Sequence, residues 1–467
     1  MMLRLRRTAL ALPAMLTVLA AILASPPLHA EDPAGSGGNL IADLGSSDYS
    51  VRQRATLALQ AGGEELLPQI VAAVQAADAE IRSRAWNILL AHALSPRGDV
   101  REAARDAIRR LSDRSSGETN GPLMGGLSRV REAMSGQATA DLTRLGATVM
   151  SVQGGSPFTF NVQIGQGWRG GDERLALLTD LGSVPWLSLE SSRVTDAALD
   201  HLSKLAGPAS GITKLYLGSS GITGATLEKL APLKRLQYLS LKQLPIDDEK
   251  IARLPEFPDL QYLGLDGTKI GDEGLAHLGR FPRLQVIWLD NTAITDAGLA
   301  HLKKLPNLDT LYMPGTNTGG LGLANLRYVS KLKSISLKGV KFSTDGLKSL
   351  SQVEHLESLG LDMTNVSDNQ LADLEGLKQL RILWLSGTNV GDDGMEHLKA
   401  LPSLQIVHLN NTLVTREGVA ALERALPRCQ ITIDFSNRRD SAGHGNQPTP
   451  TQPRLAQPRF PPRPPAP

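Results

Sequence analysis

From Leu284 the chain reads LQVIWLDNTAITDAGLAHL, and the same order of apolar and polar positions returns 24 residues away in both directions. Upstream stands LQYLGLDGTKIGDEGLAHL from Leu260. Downstream come LRILWLSGTNVGDDGMEHL from Leu380 and LQIVHLNNTLVTREGVAAL from Leu404. One marker position is filled by Leu217, Leu241, Leu265, Leu289, Met313, Leu337, Leu361, Leu385, Leu409 and Ile433, all 24 apart. Ile164 and Leu189 extend the series upstream at spacings of 25 and 28. Within a unit, alternation at Leu284, Ile287 and Leu289 predicts a short strand, and Ile294, Leu299, Leu302 and Leu305 predict a turn and a return helix facing the same core. Seven buried side chains do not offset the ordering of 24 backbones. A single unit cannot fold alone, and the pattern predicts a stack of coils.

The polar positions of the unit have structural work. Thr268, Thr292, Thr316, Thr364, Thr388 and Thr412 share one place after the strand, where a hydroxyl is expected to bond the neighbouring coil's backbone. Thr295 with Asp296, and Ser367 with Asp368, read as starts of the outer helix. Gly274, Gly298, Gly346, Gly394 and Gly418 mark a close approach of coils. His201, His277, His301 and His397 occupy one position on the convex side. A ligand would not be copied in coils far apart, so these histidines are read as structural. The GDEG and GDDG turns lack the spacing of a calcium loop. No metal and no cofactor is expected. The segments Pro245–Leu254 and Thr316–Leu326 depart from the T-D-x-G pattern and are expected to be irregular in the outer face.

The flanks have other patterns. Residues 1–30 carry Arg4, Arg6 and Arg7, an apolar run from Ala9 to Ala24 and a small residue at Ala30, the form of a signal peptide cut after Ala30, with a retained anchor as the alternative. From 41 to 112 the periodicity is helical. VRQRATLAL from Val51 and IRSRAWNIL from Ile81 share a V/I-R-x-R-A core, each behind an aspartate (Asp48, Asp78) suited to capping. VREAARDAIRRL from Val100 is a shorter echo. Arg52, Arg54, Arg82 and Arg84 are expected on a solvated face. Residues 113–136 are Gly/Ser-rich and read as a linker. A helix at Ala138–Leu145 and a hairpin (Ala147–Gln153, Phe158–Ile164) would close one end of the 137–435 array, and a last strand near Ile433 the other. Residues 436–467 hold nine prolines and five arginines against one aspartate and are expected to be disordered, touching wall, membrane or an acidic partner.

Composition narrows the partners. Of 49 basic residues the signal takes three, leaving 46 against 47 acidic ones, a net charge of −1, so nucleic acid is excluded. The one cysteine, Cys429, forms no internal disulfide and is expected to pack as a small hydrophobe. Apart from the signal peptide and the basic tail, nothing points to a membrane.

What the period does not explain is where the aromatics fall. The three strand residues that flank the buried ones line the concave face in lanes. The first runs Trp186, Lys214, Tyr238, Tyr262, Val286, Thr310, Ser334, Ser358, Ile382, Ile406. The second runs Ser188, Tyr216, Ser240, Gly264, Trp288, Tyr312, Ser336, Gly360, Trp384, His408. The third includes Glu190, Asp266, Asp290, Asp362, Ser386 and Asn410. Seven of the chain's eleven Tyr and Trp residues stand in the first two lanes. Tyr238, Tyr262, Val286, Trp288 and Tyr312, edged by Asp266 and Asp290, are expected to form an exposed patch, with Ile382, Trp384, Ile406 and His408 as a second cluster. Such a surface suits a protein or peptide. Flat rings beside carboxylates also suit glycans. Hydrolysis by an Asp266/Asp290 pair is a remote third reading. No Walker loop, zinc spacing or nucleophile elbow appears, and a non-enzymatic binding protein is expected.

The L-x-x-L-x-L period resembles the leucine-rich-repeat superfamily over roughly residues 140–435. The I-T-D-x-G-L-x-x-L-x-x-L turn and helix are nearest the ribonuclease-inhibitor-like and F-box-associated subtype. The resemblance implies an α/β solenoid, a right-handed horseshoe of about twelve parallel strands with short outer helices, serving recognition. Residues 41–112 resemble HEAT-type helical repeats. No F-box precedes the array, and the combination is similar to exported bacterial repeat proteins, periplasmic, surface-bound or secreted.

Overall fold

The computed structural model describes residues 39–114, 122–154, 158–205 and 211–435. The expected signal peptide and Pro/Arg-rich tail lie outside them. The chain divides into two compact units, Met1–Leu127 and Ser128–Pro467.

The first unit is helical: α1 (Leu40–Asp43), α2 (Tyr49–Ala61), α3 (Leu67–Ala73), α4 (Ala79–Ala93) and α5 (Gly98–Arg114). Asp48 Oδ1 accepts from Ser50 N at 2.7 Å, and Asp78 Oδ1 accepts from Glu80 N and Ile81 N at 2.8 and 2.9 Å, so both aspartates cap as their positions imply. The shared arginine is less solvated than expected. Arg52 Nη1 donates to Ser46 O at 2.6 Å, Arg82 Nη1 to Ala76 O at 2.7 Å and Arg101 Nη1 to Ser95 O at 3.1 Å. Each reaches back six residues to tie the preceding turn to its helix, so the repeated motif is a loop clamp. Arg84 donates to Glu80 and to Thr56 on α2, and only Arg54 of the four is exposed. Buried His92 joins α4 to α2 through Leu59 O at 2.9 Å.

A second correction concerns 113–136. From Pro122 this segment is helix, α6 (Pro122–Arg144); the helix expected at Ala138–Leu145 is its last turns, with Leu145 just beyond its end. Leu127, Val130, Met134, Ala138 and Leu142 are all buried at spacings of three and four, and this apolar stripe outweighs three interior glycines.

The second unit is one sheet whose thirteen strands lie in chain order among the described residues. They are β1 (Ala147–Ser151), β2 (Thr159–Ile164), β3 (Ser183–Ser188), β4 (Lys214–Tyr216), β5 (Tyr238–Ser240), β6 (Tyr262–Gly264), β7 (Val286–Trp288), β8 (Thr310–Tyr312), β9 (Ser334–Ser336), β10 (Ser358–Gly360), β11 (Ile382–Trp384), β12 (Ile406–His408) and β13 (Gln430–Thr432). β1 and β2 pair antiparallel, and every later pairing is parallel. From β4 onward partners are 24 residues apart, so Leu239, Leu263, Ile287 and Leu311 stand side by side. The core runs unbroken from Ala138 to Cys429. Burial pushes the Cys429 thiol up to about 11, as a residue packed like a hydrophobe requires.

Two local devices hold the coils. After each strand from β3 to β12 the backbone turns left-handed, at Ser191, Ser219, Gln243, Gly267, Asn291, Gly315, Gly339, Met363, Gly387 and Asn411. The following threonine closes this turn within its own coil: Thr268 Oγ1 donates to Leu265 O at 2.6 Å and Thr292 Oγ1 to Leu289 O at 2.7 Å. The expected bond to the neighbouring coil is not made, because the carbonyl three residues back is closer.

The second device is an aspartate ladder on the outer side. Asp272 accepts from Thr295 N and Oγ1 at 2.8 and 2.6 Å, Asp248 from Gly271 N at 2.7 Å, and Asp392 from Thr415 N and Oγ1 at 2.8 and 2.6 Å. The T-D-x-G aspartate therefore ties down the segment that leads into the next coil's helix. The glycine two residues on makes room for the preceding coil's carboxylate. A Cβ at Gly274 would lie 2.5 Å from Asp248 Oδ1, and one at Gly298 or Gly418 would overlap Asp272 or Asp392. At Thr316–Leu326 a 3-10 helix (Leu321–Tyr328) follows Gly319 and Gly320, with Leu321 and Tyr328 exposed; the T-D-x-G coil at Gly298–Lys304 is 3-10 as well, so the 3-10 form does not set this coil apart. Pro245–Leu254 keeps its helix, Asp248–Ala252, capped by Asp247.

Candidate functional site

On the face of the sheet opposite the core, the strand residues flanking the buried leucines gather a second apolar cluster, distinct from the first: Trp186, Tyr216, Tyr238, Trp288 and Tyr312, with Tyr262 and Val286 packed against it. Register explains how. Trp186 pairs with Lys214, Tyr238 with Tyr262, Tyr262 with Val286, and Trp288 with Tyr312, so rings from successive coils are neighbours. Centroid distances run 5.5 Å for Trp186–Tyr216, 4.6 Å for Tyr216–Tyr238, 5.9 Å for Tyr238–Tyr262, 6.5 Å for Tyr262–Trp288 and 5.7 Å for Trp288–Tyr312. Most are near parallel, down to 12° for the last pair. Trp288 also comes within 6.0 Å of Tyr238, two strands away. It can do so because its partner on β6 is Gly264, which puts no side chain between them.

The row unites Tyr238, Tyr262, Val286, Trp288 and Tyr312 as expected, and adds Trp186 and Tyr216. Both stood in the same lanes, and continuity of the lanes was the signal that could have included them. The exposure expected of the patch is corrected. Trp288 is 3% exposed, Tyr238 4% and Tyr312 9%, while Tyr262 and Val286 are half-buried. Coils at strand spacing bring the rings into stacking distance, so each ring's faces are covered by its neighbours. Asp266 is also buried rather than open to solvent, and Asp290 is half-buried.

The second cluster assembles on β11 and β12. Trp384 stacks on His408 at 5.8 Å and 9°, and both are buried; Ile382 and Ile406 pair beside them, half-buried. Burial lowers the pKa of His408 below 6.5, opposed by the charge of Asp362. Burial also raises Asp362, whose Oδ1 accepts from Ser386 N at 2.9 Å. The Tyr216 hydroxyl is raised for the same reason. Of the outer histidines, His397 meets Glu375 of the preceding coil at 2.9 Å. Among the described residues no three His, Cys, Asp or Glu side chains gather as metal ligands, and no helix is long and apolar enough to cross a membrane.

One 24-residue frame thus sets the strand, the left-handed turn, the aspartate ladder and the aromatic row. The repeats are rich in leucine, and each pairs one short parallel strand with an outer helical turn. No family model matches the chain, and no curated protein does. Among solved structures it is similar to an internalin from Listeria monocytogenes, at 19% identity over 65% of this chain and 95% of that one, TM-score 0.39. A TDR receptor is 16% identical over 55% of this chain and 43% of the other, TM-score 0.37. The mouse RP105/MD-1 complex is 14% identical over 54% and 47%, TM-score 0.39. The chain covers less than half of the last two.

Proposed function

We propose that this leucine-rich-repeat protein is an exported, non-enzymatic scaffold that holds a protein or peptide on the concave face of its sheet. The supporting observation is the stacked row from Trp186 to Tyr312, built from separate coils on the face that the core does not use. Stacking fixes the rings before a partner arrives, so little side-chain entropy remains to be lost on binding. The partner meets ring edges, the half-buried Tyr262, Val286, Ile382 and Ile406, and the half-buried Asp290, with buried Asp266 behind it. Export rests on the form of residues 1–30, and the ribonuclease-inhibitor-like subtype on the T-D-x-G turn.

The same geometry ranks the alternatives. Sugar rings stack on open aromatic faces, and here neighbouring rings occupy those faces. A protein surface that packs against edges and half-buried aliphatics is the better fit. The test is a binding screen of the mature chain against defined secreted proteins and wall glycans, repeated with Trp288→Ala/Tyr262→Ala and with Ile382→Asp/Ile406→Asp. Saturable protein binding lost in either pair is expected. Binding unchanged in both places the site elsewhere, and glycan binding alone selects the sugar reading. Hydrolysis products that vanish in Asp266→Asn would make the protein an enzyme.

A further inference from the structure

Charge along the array is banded. Residues 247–273 hold three basic and eight acidic residues, a net 3 − 8 = −5, and residues 354–377 hold six acidic residues and no lysine or arginine, a net −6. Between them, residues 297–353 hold seven lysines, Arg327 and two aspartates, a net 8 − 2 = +6. All eight cations are exposed. Helix dipoles favour an acid at the start of every outer helix and a cation at its end, so they do not by themselves produce a band. In the middle of this one the acid is missing. Glu249, Glu273, Ala297, Leu321, Asp345, Asn369, Asp393 and Glu417 share one frame position, 24 apart, and Leu321 brings a large apolar side chain to it.

Three outer helices of the band, Gly298–Lys304, Leu321–Tyr328 and Gly346–Leu350, pack side by side. The middle one starts with Leu321, 68% exposed, and ends with Tyr328, 56% exposed. Around them stand Lys303 and Lys304 at the end of the first helix, Lys348 on the third, and Arg327, whose guanidinium lies 4.6 Å from the Tyr328 ring centre. Leu321 and Tyr328 stand out of the surface, so a partner must yield to bury them. A bilayer does yield. Its acyl chains receive a leucine, tyrosine belongs at the headgroup level, and lysines on flexible stems meet anionic headgroups. A protein's carboxylates are met better by the arginine fork, and seven of these eight cations are lysines. Charge and apolar insertion together supply the two signals that stable peripheral attachment requires.

We infer that the outer helices from Gly298 to Leu350 form a docking surface for an anionic lipid bilayer, with Leu321 and Tyr328 inserted into its interface. The surface lies across the core from the aromatic row and is independent of what that row holds. A bilayer that carries the array by its outer side leaves the other face of the sheet open to a partner.

The test is co-sedimentation of the mature chain with vesicles of phosphatidylglycerol and phosphatidylcholine in equal parts. Phosphatidylcholine alone is expected to bind at least tenfold more weakly, and added salt to weaken binding to the mixed vesicles. Lys303→Ser/Lys304→Ser/Lys348→Ser should lower affinity for the mixed vesicles at least tenfold, since each cation near such a surface contributes about fivefold. Lys204→Ser/Lys234→Ser/Arg235→Ser removes as much exposed charge elsewhere on the array and should have a much smaller effect. Leu321→Ser/Tyr328→Ser, which keeps every charge, should also lower affinity about tenfold. The five native tryptophans are at most 9% exposed, so in Leu321→Trp the added indole is the reporter, and its emission should move to shorter wavelength when mixed vesicles are added. Unchanged urea midpoints confirm that the variants fold. Equal losses in the two triple variants, no loss in Leu321→Ser/Tyr328→Ser, or an unshifted Leu321→Trp emission overturns the proposal. If poly-glutamate binds with the same dependence and the vesicles do not, the surface takes an acidic polypeptide and the lipid reading falls. None of these variants touches the aromatic row, so failure here leaves the concave site standing.

Discussion

Asp272 and Thr295 lie in adjacent coils, and the carboxylate of the first accepts both the backbone N–H and the hydroxyl of the second, at 2.8 and 2.6 Å. The space for this carboxylate exists because position 298 is glycine. Asp272→Ala removes two hydrogen bonds to Thr295 and is expected to cost about 1–2 kcal/mol. Gly298→Ala should destabilise too, although alanine is the better helix former, because its Cβ overlaps Asp272 Oδ1. In the Asp272→Ala background that overlap is gone. The Gly298→Ala penalty should then shrink or change sign, giving a coupling of about 1 kcal/mol in a double-mutant cycle by urea denaturation. Additive effects would mean that the two residues do not meet.

Met363 stands where six other coils place glycine or asparagine and three place serine or glutamine, at φ 56°, and is 67% exposed. A left-handed conformation costs an ordinary side chain about 1–2 kcal/mol, and the exposed thioether recovers little of it by packing. Met363→Asn is expected to raise the stability by about 0.5–1 kcal/mol, since asparagine tolerates this region. Asn411→Met, in the same turn at φ 56°, should lower it by a similar amount. Chemical denaturation of both variants checks the prediction, and a destabilised Met363→Asn refutes it.

Much of the fold could be read from the sequence because its causes are local and repeated. Leu217 through Ile433 set the frame, and each coil is a copy of its neighbour's solution. What was missed needed two coils to be seen together. Asp272 and Gly298 look like parts of their own helices until the stacking shows that they meet across it. Trp288 sits outward by alternation, but its near-complete burial depends on Gly264 beside it and on rings from β5 and β8. The stripe from Leu127 to Leu142 was hidden by the glycines around it, which suggested a linker. Of the candidate site, membership was legible and exposure was not.

Gly264 provides a direct test of the row. A branched side chain there would stand between Tyr238 and Trp288, now 6.0 Å apart. Gly264→Val is expected to displace the indole, shift tryptophan emission to longer wavelength, and cost about 1–3 kcal/mol, as overpacking does. Gly360 pairs with Trp384 as Gly264 pairs with Trp288, so Gly360→Val serves as the matched control in the second cluster. Unchanged emission in Gly264→Val would show that Trp288 does not need the gap.

His408 gives the array a pH dependence whose sign can be worked out. Burial beside Trp384 lowers its pKa in the folded chain below the ordinary 6.5, and the charge of Asp362 only partly offsets this. Above 6.5 the ring is neutral in both folded and unfolded chains and contributes no pH dependence. As pH falls through 6.5 toward the lowered folded value, the unfolded chain takes up a proton that the folded chain resists. Stability therefore falls with pH in that window. Asp362 acts oppositely: its folded pKa is raised from 3.8, so the folded chain binds the proton more readily and gains stability as pH falls through that range. His201, also lowered by burial, adds to the His408 trend from a separate coil. Replacing His408 alone isolates its share. Between pH 7.5 and 5.5, His408→Gln is expected to lose less stability than the unaltered chain in parallel urea denaturation curves. If His408→Gln and the unaltered chain fall together, the ring is solvated and its burial against Trp384 is wrong.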